Sequence, residues 1–413
     1  MEVEHMGIAD HVLENALRKK LSVENVRVLE SVYNCISEKG LNFLSDIFQA
    51  VIRYEIISNN GQIKSEGSAN VIIKIEPLNE TARGIVHQQE LFTTELKFLR
   101  DVLPRIKELL SCQLGPHLLC DSSNPRALVM ENLKERGFIM KDRQKGLSLE
   151  HCRLAIERIA KLHAGSVAVF EKDPELIEFF KNGGIVSTRC AKSYTNMMEI
   201  GLRQVGEKVQ KWSDKECASA AGKIIKLAKT IVPRCTDVYN YDFDEFCVLN
   251  HGDCWINNIM FLENEKGQPV DLLLVDYQMA VYTSPVIDLL YFLNICPEYD
   301  IKYDKDDYFL KVYLNTLKQT MRSIGCKRKP PTMEELKMAI HKRRIYAVFS
   351  GVFLYLRMMV NKEDIEDFSK LGESTCESKM DVFKNPDAVK LAHKMIPIMN
   401  ERGYFDYNDD YMK

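Results

Sequence analysis

The sequence predicts an α+β protein with two lobes, a small one built on an antiparallel sheet and a larger, mainly helical one. The chain has 413 residues, more than one hydrophobic core normally organises. Strand-like and helical runs alternate in the first part, whereas long helical patterns with a single hairpin follow. We therefore divide the chain into a first lobe (1–130), a hinge (131–136) and a second lobe (137–413).

The sheet of the first lobe is predicted from β-branched runs bounded by turn residues. These segments are two runs within 32–56 around the loop KGLNFLSD (39–46), a turn at 59–61, a run at 69–77 and a run at 127–133. Between the last two runs, residues 87–109 have leucines at helical spacing until Pro104 interrupts the pattern. We therefore expect one helix packed on a small sheet.

The second lobe is predicted from helical patterns interrupted by one hairpin. Residues 148–170 form an amphipathic helix, for which Ser148 is the expected N-cap. A β patch at 246–276 contains runs joined by the turn NEKGQP. Further along, Thr332 begins a capping box ahead of an apolar helix expected to run to Met359.

The composition excludes several classes of function. Lys and Arg total 56 against 59 Asp and Glu, so nucleic acid is not an expected partner. The N-terminus lacks the apolar core of a secretory signal, and the apolar stretch 346–360 is too short for a membrane span. The twelve cysteines include no CxxC pair, which favours reduced thiols. We expect a cytoplasmic protein whose oligomeric state is left open.

The segment HGDCWINN (251–258) has the spacing of a kinase catalytic loop. In such a loop an aspartate, here Asp253, accepts the proton of the acceptor hydroxyl, and an asparagine five positions later, Asn258, binds magnesium. Asp276 ends the apolar run LLLVD, across the predicted hairpin from Asn258, and is the expected second magnesium ligand. Asp-x4-Asn alone is common by chance, so this loop needs support from other residues.

That support comes from the first lobe. Lys74, late in a predicted strand, can reach the α- and β-phosphates of ATP, and a glutamate of the next helix would hold it. We choose Glu95 as that partner and keep Glu90 as the competitor. The loop KGLNFLSD would cover the phosphates; it has only one glycine, so Asn42, Ser45 and backbone N–H groups would replace a glycine-rich cradle. The order of these residues along the chain favours phosphoryl transfer.

HGDCWINNIMF and LLLVDYQ resemble the choline-kinase-like and aminoglycoside-phosphotransferase-like superfamily, and more closely the ecdysteroid-kinase-like family. Further matching stretches are KGLNFLS, VIIKIEP, LVMENL, AKLHAGS and SPVIDLLYFL, so the resemblance covers roughly 30–360. It implies a protein kinase-like fold with the roles given above for the aspartates, Asn258 and Lys74. It also implies that the hinge residues Glu131, Asn132 and Leu133 lie against the adenine.

Three further residues have expected roles. The resemblance implies that Asp288 is a buried aspartate that braces the catalytic loop. His251 is expected to be a hydrogen-bonded structural residue rather than an acid or base. Trp255 either packs within the loop or contacts the substrate.

The resemblance implies an ATP- and Mg²⁺-dependent kinase that phosphorylates a hydroxyl of a small lipophilic alcohol. The type activity is on the C-22 hydroxyl of ecdysteroids, with other steroids and xenobiotic alcohols as related substrates. Aromatic residues of the second lobe, such as Tyr291 and Tyr346, either line a steroid-sized pocket or form the core. The alternatives are a choline- or ethanolamine-type kinase and a catalytically silent nucleotide-binding protein.

Overall fold

A computed structural model describes residues 8–36, 44–77, 79–240, 244–360 and 380–408. The small lobe contains α1 (Asp10–Leu21), β1 (Val26–Cys35), β2 (Asp46–Ile57), β3 (Ile63–Ile75), α2 (Glu80–Gln88), α3 (Leu91–Lys97), α4 (Leu103–Leu110), β4 (Leu118–Ser123) and β5 (Arg126–Glu131). The strands pair antiparallel in the order β1-β2-β3-β5-β4, which makes β3 the central strand. The predicted sheet is confirmed, although α1 and β4 were not predicted.

The central strand β3 separates two apolar clusters. On one face, Val71, Ile73 and Ile75 are buried in the core of the small lobe. Side chains alternate between the two faces of a strand, so Lys74 leaves β3 on the opposite face. That face is covered by α3, and this places the lysine between the sheet and the helix.

The prediction of a single helix at 87–109 is wrong in detail, because regular α-helix is interrupted at two points in this segment. Glu90 adopts a left-handed conformation (φ 55°), which ends α2 and starts α3 at a new angle. Residues Phe98–Val102 then form a π-helical turn before α4 begins. Pro104 does not end the helix; it lies in the first turn of α4, where its missing N–H costs no hydrogen bond.

The large lobe is mainly helical, as predicted. It contains β6 (Ile139–Met140), α5 (Leu149–Lys172), α6 (Pro174–Glu178), α7 (Lys192–Val209), α8 (Lys215–Ala228), α9 (Ile231–Asp237), β7 (Val248–Asn250), β8 (Ile259–Glu263), β9 (Pro269–Leu274), β10 (Val281–Thr283), α10 (Val286–Ile295), α11 (Asp306–Ser323), α12 (Met333–Lys342), α13 (Ile345–Ala347), α14 (Leu356–Met358) and α15 (Pro386–Glu401). The predicted hairpin is β8-β9, which β6 extends, and β7 pairs with β10.

Both predicted helix caps are present. The Ser148 side chain accepts a hydrogen bond from the backbone N–H of His151, and Thr332 forms the full capping box of α12. The apolar helix expected to run from this box to Met359 is divided, however, because the chain turns at Arg343 and Arg344. Arg343 is buried there and donates to the Val238 carbonyl. None of the helices in the described part of the chain is long and apolar enough to cross a membrane.

The two lobes are joined directly after β5. Glu131 ends that strand, and the Asn132 side chain caps a short 3₁₀ helix at Leu133–Arg136. Gly137, with a positive φ of 82°, ends this turn, and the chain continues into β6 beside the hairpin of the large lobe. The candidate active site therefore lies between β3 on one side and the β8-β9 hairpin on the other.

Candidate active site

Lys74 connects the two lobes through ion pairs. Its ammonium group contacts the carboxylate of Glu95 on α3 and lies 2.7 Å from Oδ1 of Asp276, which follows β9. Gln278 also accepts from the lysine at 3.3 Å. Burial alone would lower the pKa of Lys74, but the carboxylates of Asp276 and Glu95 raise it above its ordinary value. The lysine is therefore a fixed positive charge at the cleft.

Glu90, the competing partner, lies elsewhere. It pairs with Arg189 of the large lobe, whereas Glu95 is only 1% exposed and faces Lys74. The bend at Glu90 separates the two glutamates, because Glu90 precedes the first residue of α3 in a left-handed conformation, whereas Glu95 lies within that helix. The choice between them could not be made from helical spacing alone.

The loop HGDCWINN begins where β7 ends, and a buried carboxylate holds its backbone. Oδ2 of Asp288 accepts the N–H of His251 at 2.7 Å, and Oδ1 accepts that of Gly252 at 2.8 Å. Burial alone would raise the pKa of Asp288, but the hydrogen bond from His163 and the loop amides keep that pKa below its ordinary value. Gly252 has φ +84°, and an added Cβ would lie 2.0 Å from the Met279 carbonyl oxygen, so glycine is required there.

His251 joins this loop to the segment that carries Asp276. Its Nε2 lies 3.0 Å from the Val275 carbonyl oxygen, and its Nδ1 accepts the backbone N–H of Asp253 at 3.3 Å. This pattern needs a proton on Nε2 and none on Nδ1, the neutral imidazole. Burial lowers the pKa of His251 below 6.5, in agreement with that form. The ring therefore sets the distance between two loops of the site.

Both oxygens of Asp253 are oriented by neighbouring side chains. Tyr291 on α10 donates to Oδ1 at 2.7 Å, and the Asn258 amide nitrogen donates to Oδ2 at 2.9 Å. Burial raises the pKa of Asp253 to about 7, repulsion by Asp276 adds to that rise, and the two hydrogen bonds oppose it. A carboxylate with a pKa near neutrality suits a general base.

The donor set between Asn258 and Asp276 fits a magnesium ion. The Asn258 backbone carbonyl accepts the N–H of Val275 at 2.9 Å, so the asparagine and Asp276 lie at the same end of the hairpin. Since the amide nitrogen of Asn258 points at Asp253, its amide oxygen is left for a ligand. Asp276 uses Oδ1 for Lys74, which leaves Oδ2. One neutral and one charged oxygen, completed by phosphate and water, match the preference of magnesium.

The residues predicted to contact ATP differ in where they lie in the structure. Ser45 is buried directly before β2, at the end of the sheet where Lys74 lies, whereas Asn42 falls outside the described residues. The Glu131 carboxylate accepts from the Gln113 side chain and the His117 backbone, and therefore ties β5 to the segment before β4. These contacts are structural, and their roles toward adenine and phosphate stay predictions.

The side chains of Asn132, Leu133 and Trp255 are mostly engaged in packing and capping. Asn132 caps the 3₁₀ helix, and Leu133 is buried against Met260 and Leu273 of the hairpin. Trp255 is half-buried and lines a small cavity with Tyr355.

Sequence reasoning missed three contacts that organise the site, although it named Tyr291 as an aromatic residue of the second lobe. Tyr291 binds Asp253, Gln278 binds Lys74, and Nε2 of His163 on α5 lies 3.0 Å from Asp288. His163 belongs to the stretch AKLHAGS, which was noted without a role, and Gln278 belongs to VDYQ. Tyr291 follows Asp288 by three residues on a helix, a spacing that puts both on one face and could have indicated it.

Comparison with known proteins gives the family. Residues 39–326 match the model of the ecdysteroid kinase-like family. The chain belongs to this family. Membership makes it a phosphotransferase that acts on a hydroxyl group. The comparison with curated proteins finds no match. Among solved structures, the chain is similar to the AMP-bound complex of spectinomycin phosphotransferase, with a TM-score of 0.37 and 13% identity over 83% of this chain and 91% of that chain.

Proposed function

We propose that this family member transfers the γ-phosphoryl group of ATP to a hydroxyl of a small lipophilic alcohol, with magnesium as cofactor. An ecdysteroid, accepting at C-22, or a related steroid or xenobiotic alcohol is the proposed substrate. The observation that carries the proposal is the placement of Lys74, which is held by Glu95 on one lobe and Asp276 on the other. This arrangement aims one fixed cation at the cleft where phosphate oxygens would lie.

Each of these residues would have its own role in phosphoryl transfer. Lys74 would neutralise phosphate charge, and Asn258 with Asp276 would hold magnesium, which supplies further charge neutralisation between the phosphates. Asp253 would accept the proton of the acceptor hydroxyl as its oxygen bonds to the γ-phosphorus and ADP leaves. The hinge residues Glu131 to Leu133 would lie beside the adenine.

The lipophilic nature of the acceptor is supported by the surroundings of Asp253. Tyr291 contacts this aspartate, its ring lies 6.2 Å from that of Tyr346, and the Tyr346 hydroxyl accepts from Tyr239. Trp255, in the same loop as Asp253, is half-buried. Most of these rings are fully buried and form the core, so only their edges near Asp253 are proposed to meet a substrate.

The direct test is a transfer assay with γ-labelled ATP, magnesium and a panel of ecdysteroids, other steroid alcohols, phenolic alcohols and choline. We expect labelled product from at least one lipophilic alcohol. Asp253→Ala should abolish this product while ATP binding, measured by calorimetry, persists. Transfer to choline alone would favour the choline-type alternative. ATP binding without transfer to any alcohol would refute the proposed substrate class, and turnover by Asp253→Ala at the wild-type rate would refute the assigned base.

A further inference from the structure

Three potential metal ligands meet on the large lobe, on elements that contribute no residue to the candidate active site. Asp214 and Cys217 lie at the start of α8, and His393 lies on α15. One ligand atom from each lies within 4.8 Å of the other two, and no other such group of His, Cys, Asp or Glu occurs among the described residues. The histidine is 176 residues from the cysteine in sequence, so the fold brings them together.

The distances between these atoms suit a tetrahedral ion. Nδ1 of His393 lies 2.8 Å from Oδ2 of Asp214 and 3.7 Å from Sγ of Cys217. Zinc bonds of about 2.0 Å to nitrogen and oxygen and about 2.3 Å to sulfur give tetrahedral edges of roughly 3.3–3.6 Å. The sulfur–nitrogen edge is already close to this range, and the oxygen–nitrogen edge has to open by only about half an ångström.

The ligands are also oriented by their neighbours. Oδ1 of Asp214 accepts the backbone N–H groups of Glu216 and Cys217, which leaves Oδ2 directed at the cluster. The ring of Trp212 stacks on that of His393, with centroids 4.3 Å apart and planes 19° apart. Hydrogen bonds of this kind are typical of carboxylates that bind metals, and the stacking on Trp212 holds the plane of the His393 ring.

The charge and the solvent exposure of the three side chains also favour a divalent cation. A thiolate and a carboxylate with one neutral imidazole carry two negative charges, which a divalent ion cancels. Cys217 is buried, whereas the side chains of Asp214 and His393 are 32% and 40% exposed, so a fourth position opens to water. The charged groups that act on Cys217, Asp214 and Glu216, are both acidic and favour a cation.

We propose that Asp214, Cys217 and His393 bind a zinc ion, with water as the fourth ligand. Sulfur and imidazole ligands select zinc over magnesium, so this site does not compete for the metal of phosphoryl transfer. On binding, the Cys217 thiol releases its proton to solvent. The His393 proton that Nδ1 donates to Asp214 in the metal-free protein is also given up to solvent, and Nε2 takes a proton from solvent, so the imidazole stays neutral with Nδ1 free for the ion. The ion joins the start of α8 to α15 and adds its binding free energy to the stability of the lobe.

The test uses the full-length protein and cobalt(II) alone as a spectroscopic probe for zinc. We expect a thiolate-to-cobalt charge-transfer band whose intensity saturates at one cobalt ion per chain, and zinc should then displace that ion. A cobalt ion at the oxygen ligands of the active site gives no such band, because it has no sulfur ligand. The melting temperature should rise with zinc in the wild-type protein.

Matched variants decide the outcome. Cys217→Ser should remove the band, and His393→Ala should weaken zinc binding at least tenfold, while both variants retain the wild-type circular dichroism spectrum. Cys326→Ser is the control, because Cys326 is a partly buried thiol that, like Cys217, lies near a carboxylate, here that of Glu171; this variant should keep the band. If the wild-type protein shows no band, no thiolate binds the ion and the proposal is overturned. A band that persists in Cys217→Ser would mean an adventitious ion only and would overturn it as well.

Discussion

The hydroxyl of Tyr291 donates a 2.7 Å hydrogen bond to Oδ1 of Asp253. Tyr291 lies one helical turn after Asp288 on α10, and Asp288 accepts the amides of His251 and Gly252. Residues three apart share one face of a helix. A single face of α10 therefore fixes the backbone of the catalytic loop and also the side chain of its proposed base.

Tyr291→Phe should lower kcat by about tenfold or more while the KM for ATP stays nearly unchanged. A hydrogen bond to a charged group contributes about 1.5–3 kcal/mol, and tenfold corresponds to about 1.4 kcal/mol. Steady-state kinetics with a turned-over alcohol gives both parameters. Tyr303→Phe is the matched control, since Tyr303 is also buried and its ring packs on Arg402 rather than on a residue of the candidate site. Equal losses of kcat in the two variants would show that burial of a tyrosine, not its contact with Asp253, is responsible.

The two glutamates near Lys74 provide a second comparison. Glu95→Gln keeps the shape of the side chain but removes one of the two carboxylates that hold the lysine, so we expect a higher KM for ATP and a lower kcat. Glu90→Gln removes the carboxylate of the residue directly before α3 and loosens only the pair with Arg189. Its kinetic constants should stay within about twofold of wild type. Reversed effects of the two variants would contradict the assigned pairing.

Asp276→Asn should raise the magnesium concentration needed for half-maximal activity by about tenfold or more, because one formal charge leaves the proposed metal site. Asparagine tolerates the left-handed backbone of this position (φ 67°), so the fold should persist. Magnesium titrations of ATP turnover measure the change. Asp271→Asn on the same hairpin is the control, because Asp271 pairs with Arg158. An unchanged titration for Asp276→Asn would remove this residue from the metal site.

The sequence indicated the charged residues of the candidate site better than the residues that hydrogen-bond to them. Lys74 lies near the end of β3, and Asp253 and Asp276 follow β7 and β9, so the strand and turn pattern indicated each position along the chain. The contact between Lys74 and Asp276 joins the two lobes and needed the structure. The Tyr291–Asp253 and His163–Asp288 contacts depend on how helices pack on the loop. Helical periodicity shows which face is apolar but not which residue meets which, so these contacts required the structure.

The same dependence on contacts between distant elements explains the errors in the predicted helices. The bends at Glu90 and Arg343 arise in segments with continuous helical periodicity, and each bend coincides with a charged side chain that pairs with another element. Tertiary contacts of this kind are absent from local helical periodicity, and a single sequence does not reveal the distant partner.

His251 should make the protein sensitive to acid. The folded protein holds His251 as the neutral imidazole with a lowered pKa, whereas the unfolded chain takes up a proton below about pH 6.5. The unfolded state therefore binds more protons in that range, so stability is complete above it and falls as the pH drops towards the folded pKa. We expect His251 to lower the melting temperature between about pH 7 and pH 5. Asp253 contributes with the opposite sign, because its pKa of about 7 lets the folded protein take up a proton in this range, and the same protonation lowers activity.

A variant series isolates the contribution of this histidine. His251→Gln does not titrate in this range, so its melting temperature should be lower than wild type at neutral pH and should decline less on acidification. His11→Gln removes an exposed histidine of α1 and serves as the control, with the acid dependence of the wild-type protein. Thermal unfolding of the three proteins across this pH range measures the difference. If His251→Gln and the wild-type protein decline in parallel, acid acts through other groups and the neutral link between the two loops does not govern stability.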